Sequence, residues 1–158
     1  MLNRKSPRMP GFDYTSSMIY FVTINCHKNQ HLLGEIIKNE DSNLLVLSEI
    51  GMVATEKINE LSFHHIGVEV VDFVIMPNHI HILISLQNQE KSSTLSTIVG
   101  SYKSGVSRIV RKAYPGLELW QGSFWDHIIR DENDFLTHQN YINMNVDRWQ
   151  KDDYFKKR

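Results

Sequence analysis

The sequence predicts an α+β fold in which an antiparallel sheet carries helices, and three observations indicate it. Short segments rich in β-branched and aromatic residues alternate along the chain with longer segments of helical periodicity. Two of the predicted strands follow each other across only two residues, a connection short enough for antiparallel pairing. The chain has 158 residues, 41% of them hydrophobic and 22% charged, which suits one domain with a substantial core.

The first third of the chain predicts a strand, a hairpin and a helix. Residues 18–26, MIYFVTINC, have the composition of a strand. GEIIK at 34–38 and NLLVL at 43–47 flank four polar residues, a pattern typical of a small hairpin. Ser48 can cap a helix whose apolar residues recur at helical spacing through about Phe63.

The later segments complete the order of elements. Two strands, a helix, a strand and a last helix are predicted at residues 68–76, 79–86, 92–114, 122–130 and 131–149. Without the hairpin, the order is β-α-β-β-α-β followed by a helix. That order favours a ferredoxin-like antiparallel sheet with two helices on one face, so that the last helix is free to cover the other.

Composition limits the class of protein. A formal net charge of −1 neither favours nor excludes a nucleic-acid partner. The single cysteine, Cys26, excludes an internal disulfide framework and suits a reducing compartment. No apolar run has the length of a membrane span, and the N-terminal residues lack the apolar block of a signal peptide. We therefore expect a cytoplasmic protein that does not bind membranes.

The segment IMPNHIHILI, residues 75–84, places two histidines in an otherwise apolar strand. Because side chains alternate along a strand, His79 and His81 lie on one face and the isoleucines lie on the other. Two imidazoles at such positions are close enough to bind one divalent cation, which would need a third ligand from elsewhere in the chain. Taken alone, such a pair on an edge or surface strand is more often structural than metal-binding.

The last predicted helix supplies that ligand and a nucleophile. Tyr141 and Asn145 are four residues apart and share a helical face, with His138 and Arg148 roughly on the same side. A tyrosine can act as a covalent nucleophile when a metal ion makes a phosphodiester more electrophilic. The ion would be Mg²⁺ or Mn²⁺ held by the two histidines and the amide oxygen of Asn145. A half-buried tyrosine with its hydroxyl in solvent would explain the helix as well.

At these residues the chain resembles a known family. His79-Ile80-His81 resembles the histidine–hydrophobe–histidine signature of the HUH endonucleases, and the whole layout is most similar to their IS200-like, REP-associated tyrosine transposases. The similarity runs through roughly residues 8–150 and is carried by GFDYTSSMIYFVTINCHKNQHLLGEI, DFVIMPNHIHILI, GSYKSGVSRIV, LWQGSFWDHIIRDENDF and YINMNVDRW. The family motif often continues Asn-Pro, whereas Val146 follows Asn145 here and allows the helix to continue.

The resemblance implies a ferredoxin-like enzyme that nicks single-stranded DNA at hairpin or palindromic sites and rejoins it. It implies that Tyr141 attacks the backbone phosphate, leaving a 5′-phosphotyrosine link, and that His79, His81 and Asn145 bind the metal. The partners implied are single-stranded and hairpin DNA, with the enzyme a monomer or a homodimer. Residues 1–158 would form one domain, with residues 1–15 a flexible basic arm and residues 150–158 a tail.

Basic and imidazole side chains are expected to contact the DNA. They are Arg4, Lys5, Arg8, Lys103, Arg108, His127, Arg130, His138 and Arg148. Trp120 and Trp125 are expected to pack in the core rather than to stack on bases. Two other functions remain open: a domain that binds hairpin DNA or RNA without cutting it, and a small metallohydrolase that uses water as its nucleophile.

Overall fold

The computed structural model of the chain describes residues 17–87 and 93–151. The strands are β1 Ser17–Asn25, β2 Gly34–Lys38, β3 Asn43–Leu47, β4 Val68–Ile75, β5 His79–Gln87 and β6 Trp125–Ile128. The helices are α1 Glu49–Asn59, α2 Leu61–His64, α3 Leu95–Ala113 and α4 Glu132–Met144, with short 3₁₀ turns at His27–Asn29 and Trp149–Lys151. No helix within these residues is long and apolar enough to cross a membrane.

The main sheet has the strand order β4-β5-β1-β6, and each neighbouring pair is antiparallel. This is the order of a ferredoxin-like sheet, so the fold predicted from the element order is confirmed. The strands β2 and β3 form a separate hairpin, also as predicted. Pairing of β1 with β5 places Thr23 opposite His81 and Asn25 opposite His79.

The two faces of β5 pack against different helices. Ile80, Ile82 and Ile84 are buried with side chains of α1 and α3 in the larger core. On the other face, Leu83 is buried with Ile142 of α4 in a smaller core. Burial on both faces explains why the sequence of β5 is a nearly continuous apolar run. The two histidines lie on the face that packs against α4.

Two helices end earlier than the periodicity indicates. The side chain of Ser48 caps α1 by accepting a bond from the amide of Gly51, but Glu60 separates α1 from the short α2. The last helix ends at Met144, although we predicted that it would run to about Trp149.

Side-chain amides account for the early end of α4. Nδ2 of Asn145 donates to the carbonyl oxygen of Tyr141 at 3.1 Å. Nδ2 of Asn43, in the β2–β3 hairpin, donates to the carbonyl oxygens of Val146 and Asp147, each at 3.2 Å. These bonds satisfy carbonyl groups that a continued helix would have used, so the chain turns at this point.

The predicted strand at 122–130 is shorter in the structure, and one tryptophan prediction is wrong. Trp120 is half-buried against the larger core, and its Nε1 donates to the carbonyl oxygen of Lys103 at 3.1 Å. Trp125, by contrast, is 70% exposed. It begins the edge strand β6, and α4 does not cover this first residue because α4 packs mainly across β4 and β5.

Candidate active site

The two histidines of β5 are buried beneath α4. His79 is 0% exposed and His81 is 2% exposed, and their ring centroids lie 4.6 Å apart. Trp149, just after α4, stacks on His79 with centroids 6.2 Å apart, so the chain that follows the helix covers the pair. Because β5 lies beneath α4 and the segment that follows it, both imidazoles are excluded from solvent.

Each histidine has a hydrogen-bond partner on its Nδ1 atom. Nδ1 of His79 lies 2.7 Å from Oδ1 of Asn78, and Nδ1 of His81 lies 2.9 Å from Oγ1 of Thr23. With Nδ1–H donating to these oxygens, Nε2 carries the lone pair in each ring, and both Nε2 atoms are buried. Histidines that bind metals commonly donate their second nitrogen in this way.

Burial keeps both imidazoles neutral at physiological pH. It lowers the pKa of His79 to about 3, with the Asn145 amide opposing that shift and the charge of His31 adding to it. Burial also holds the pKa of His81 well below its ordinary range, and the charges of His79 and His138 act in the same direction. A neutral imidazole is the form that coordinates a cation.

The third predicted ligand, Asn145, lies at the end of α4 and is 2% exposed. Its Oδ1 is buried, and within the part of the chain that the structure describes, no donor reaches it in hydrogen-bonding geometry. The same amide opposes the larger effect of burial on the pKa of His79. Two ring lone pairs and an amide oxygen are all electron donors, so the chemistry of this buried set fits a divalent cation.

Tyr141 lies directly beside the histidines. Its ring centroid is 5.1 Å from that of His81 and 6.1 Å from that of Phe21. Tyr141 is 36% exposed and lines an open cavity of about 590 Å³ together with His81 and Arg148. A polymer strand in this cavity would contact the phenol and the histidine face at the same time.

The structure brings only some of the predicted DNA-binding residues to this cavity. His138 and Arg148 line it, and the ring of His127 stacks on that of His138 with centroids 4.8 Å apart. Arg130 is exposed just before α4. Arg4, Lys5 and Arg8 lie outside the described residues.

Lys103 and Arg108 lie elsewhere, because α3 packs on the sheet face opposite to α4. Nζ of Lys103 donates to the carbonyl oxygen of Gln121 at 2.6 Å, and burial lowers the pKa of this lysine. Arg108 is exposed beside α1 and α2, in a cavity shared with Lys57. Any DNA that reaches these two residues would have to pass around the edge of the sheet.

Three residues of the site were not predicted from the sequence. Asn78 directly precedes His79, and that adjacency was a usable signal. Asp134 contacts both His127 and His138, and its spacing of four residues from His138 on a helix was a second one. Thr23 lies 58 positions before His81, and only the strand register brings the two together.

Comparison with known proteins identifies relatives over most of the chain. The family described as "Transposase IS200 like" matches residues 14–145. An uncharacterised protein of Haemophilus influenzae is 30% identical over 172 residues, covering 97% of this chain and 93% of its own. A second protein of that organism, named among the REP-associated tyrosine transposases, is 26% identical over 149 residues, covering 84% of this chain and 72% of its own.

A solved structure has the same fold. It is described as a REP-associated tyrosine transposase bound to a REP hairpin, and it superimposes with a TM-score of 0.59 at 21% identity. The match covers 90% of this chain and 74% of the other. At this identity the likeness establishes the fold, and it agrees with the antiparallel sheet and helices described above.

Proposed function

The chain belongs to the IS200-like transposase family, and on that premise we propose that it nicks and rejoins single-stranded DNA at hairpin or palindromic sites through a 5′-phosphotyrosine link to Tyr141. Its relatives are tyrosine transposases, which are DNA-cleaving enzymes, so the protein is an enzyme of that kind. The observation that carries the proposal is the position of the Tyr141 ring against His81, at the wall of an open cavity.

The reaction that we propose is a transfer of one phosphodiester bond. The phenol oxygen of Tyr141 loses its proton and bonds to phosphorus while the bond from phosphorus to the 3′ oxygen breaks. The 3′ oxygen takes up one proton in exchange and leaves as a 3′-hydroxyl. The energy of the ester is kept in the protein–DNA link, so the reverse attack by a 3′-hydroxyl can rejoin a strand without ATP.

The residues that would hold a metal ion are His79, His81 and Asn145. A bound divalent ion would make the phosphorus more electrophilic, which matters because a tyrosine hydroxyl ordinarily ionises near pH 10. Thr23 and Asn78 orient the imidazoles, and Trp149 limits the access of water to them. Oxygen and imidazole ligands together suit Mn²⁺ better than Mg²⁺, which prefers oxygen ligands alone.

The DNA partner that we propose is a single strand in the cavity lined by Tyr141, with His138 and Arg148 near its phosphates. The relative of known structure that is bound to a REP hairpin supports a hairpin as the recognised element. The contact between Tyr141 and His81 within one chain supports a site built in cis, either in a monomer or in each subunit of a homodimer.

A double-labelled oligonucleotide tests the proposal. Single-stranded hairpins taken from DNA that flanks the gene would carry one fluorophore at the 5′ end and another at the 3′ end. With Mn²⁺, we expect the 3′ label to migrate with the protein in denaturing electrophoresis and the 5′ label to appear on a shorter, free oligonucleotide. Both products should disappear with EDTA.

The other outcomes are equally specific. Shortened DNA with no label on the protein would favour a metallohydrolase that uses water. Hairpin binding with no cleavage, at any metal concentration tested, would favour a binding domain. Either result would contradict the proposed enzyme.

Replacing Thr23 with valine should weaken metal binding by about 10–100-fold, because the His81 ring would lose the oxygen that orients its Nδ1. Calorimetric titration of the EDTA-treated protein with Mn²⁺ would measure the change. Thr55→Val is the matched control, since the Thr55 hydroxyl bonds to the Gly51 carbonyl within α1. Equal Mn²⁺ affinities in the two variants would show that Thr23 does not support a metal ligand.

A further inference from the structure

We propose that His127, Asp134 and His138 form a second metal site, which binds Zn²⁺ or a similar divalent transition metal. This site would be separate from the histidine pair of β5 and independent of whether the chain cleaves DNA. The three side chains each offer one ligand atom, and these atoms all lie within 4.8 Å of one another.

The geometry centres on the carboxylate of Asp134. Nε2 of His127 lies 3.0 and 2.9 Å from its two oxygens, and Nδ1 of His138 lies 3.1 Å from Oδ1. The two imidazole rings stack with an interplanar angle of 20°, and each presents a nitrogen to the same carboxylate. The separations of the two ring nitrogens from the carboxylate oxygens, 2.9 to 3.1 Å, are close to those between neighbouring ligands of a tetrahedral Zn²⁺ whose bonds are about 2 Å long.

The fold holds these ligands in place before any ion arrives. Asp134 and His138 are one turn apart on α4, and His127 comes from the adjacent edge strand β6. The amide of Arg130 donates to Oδ2 of Asp134 at 3.0 Å, which fixes the carboxylate. The Asp134 amide donates in turn to Oδ1 of Asp131, the residue that caps the helix. A ligand oriented by such a bond binds a metal with less loss of conformational freedom.

Two imidazoles and one carboxylate favour zinc among the common divalent ions. Ca²⁺ and Mg²⁺ prefer oxygen ligands, whereas Zn²⁺ accepts nitrogen and oxygen together in a four-coordinate site. Three protein ligands leave one position open. The side chain of His127 is 43% exposed and those of Asp134 and His138 about half as much, so an ion and a water molecule can reach the site.

Binding requires a change of tautomer in both rings. In the metal-free arrangement, Nε2–H of His127 donates to the carboxylate, and Nδ1–H of His138 donates to the carbonyl oxygen of Asp134 at 2.8 Å. A metal ion would replace these protons, which would move to the opposite nitrogen of each ring.

The ring of Phe21 lies next to both histidine clusters. Its centroid is 5.0 Å from that of His81 and 4.6 Å from that of His138. Because this apolar ring contacts a member of each cluster, we expect one ion in each cluster rather than one ion shared by both. The second ion would tie the start of α4 to β6 and add positive charge beside the cavity that contains Tyr141.

Calorimetric titration with zinc chloride alone tests the site in the untagged, EDTA-treated full chain. We expect two ions per chain in the wild type and one in His127→Gln, with the affinity at the altered site lowered by at least about 100-fold. His81→Asn should also leave one ion, and the double variant should bind none tightly. Absorption by Co²⁺ would report the tetrahedral site independently of the heat signal.

His64→Gln is the matched control, because His64 also pairs with a carboxylate four residues away, Glu60, but does not belong to the group of ligand atoms formed by His127, Asp134 and His138. It should retain both ions. Circular dichroism would establish that His127→Gln is folded, and Asp134→Asn repeats the test from the carboxylate. Two ions retained at full affinity in both variants would refute the second site.

The two metal proposals fail separately in this experiment. One ion in the wild type that His81→Asn removes and His127→Gln does not would refute the second site and leave the first. One ion that only His127→Gln removes would support the second site and refute the metal site of the proposed transposition reaction.

Discussion

Replacement of Tyr141 by phenylalanine is expected to abolish the covalent DNA adduct and to lower the cleavage rate by at least about 10³-fold. The change removes only the hydroxyl, which is the atom that would bond to phosphorus. The phenylalanine ring can keep the packing of the tyrosine ring against His81 and Phe21, so the fold should be retained. Because the hydroxyl would act as the nucleophile and not as an anchor, hairpin affinity should change by less than about threefold.

The control for this variant is Tyr114→Phe. Tyr114 is also partly exposed, and its hydroxyl donates to Glu49 at 3.2 Å, far from the histidines. Adduct yield with the double-labelled hairpin and affinity by fluorescence anisotropy should both match the wild type in this control. An adduct that survives in Tyr141→Phe would show that another residue is the nucleophile. Loss of hairpin binding together with the adduct would show that Tyr141 binds DNA instead.

Acidification is expected to destabilise the metal-free protein strongly. In the unfolded chain, both histidines would have pKa values near 6.5, whereas in the folded chain burial lowers the pKa of His79 to about 3 and that of His81 well below its usual range. Below about pH 6.5 the unfolded state therefore binds more protons than the folded state, and the free energy of unfolding falls as pH falls. The stability that the two neutral imidazoles contribute is fully present above about pH 6.5, the pKa in the unfolded chain. It is lost progressively as the pH falls toward the pKa values of the folded chain.

The size of the effect follows from linkage. Between about pH 7 and pH 5, each histidine contributes a loss of about 2 kcal/mol, so the pair contributes up to about 4 kcal/mol. Small domains have total stabilities of about 5–15 kcal/mol, so this loss is large. Urea unfolding at a series of pH values, in the presence of EDTA, would measure it.

Two variants separate this contribution from other titrating groups. His81→Asn should reduce the dependence of the unfolding free energy on pH by about half over this range, because one of the two buried imidazoles is gone. His64→Gln, which removes an exposed histidine outside the buried pair, is the control for the loss of a histidine as such. Parallel curves for the wild type and His81→Asn would contradict the inference that these imidazoles are buried in the neutral form.

Local sequence patterns were sufficient to predict the fold. The strand and helix periodicities predicted every element of the β-α-β-β-α-β order, and the ferredoxin-like sheet followed from that order. The alternation of side chains in β5 predicted that its isoleucines and its histidines would lie on opposite faces, as they do. Helical spacing predicted that Tyr141 and Asn145 would share a face. These features depend on residues that are close in the sequence, because the period of a strand or helix determines the direction in which each side chain points.

The bounds of the elements were less predictable, because they depend on groups from elsewhere in the chain. The helix α4 ends at Met144 and does not continue through Val146. The reason is that the side chain of Asn43 donates hydrogen bonds to the carbonyl oxygens of Val146 and Asp147, more than 100 positions away. Trp125 is exposed because it begins the edge strand β6 at a point that α4 does not cover. Neither cause has a signature in the local sequence.

The sequence by itself determined which residues carry reactive groups and which face of its own element each one occupies. Only the tertiary structure decided which of these groups meet. Strand register brings Thr23 to His81, the passage from β6 to α4 brings His127 to Asp134, and the packing of α3 on the opposite face separates Lys103 from Tyr141. The physical reason is that periodicity orients a side chain relative to its own backbone, whereas contact between distant residues depends on how whole elements pair and pack.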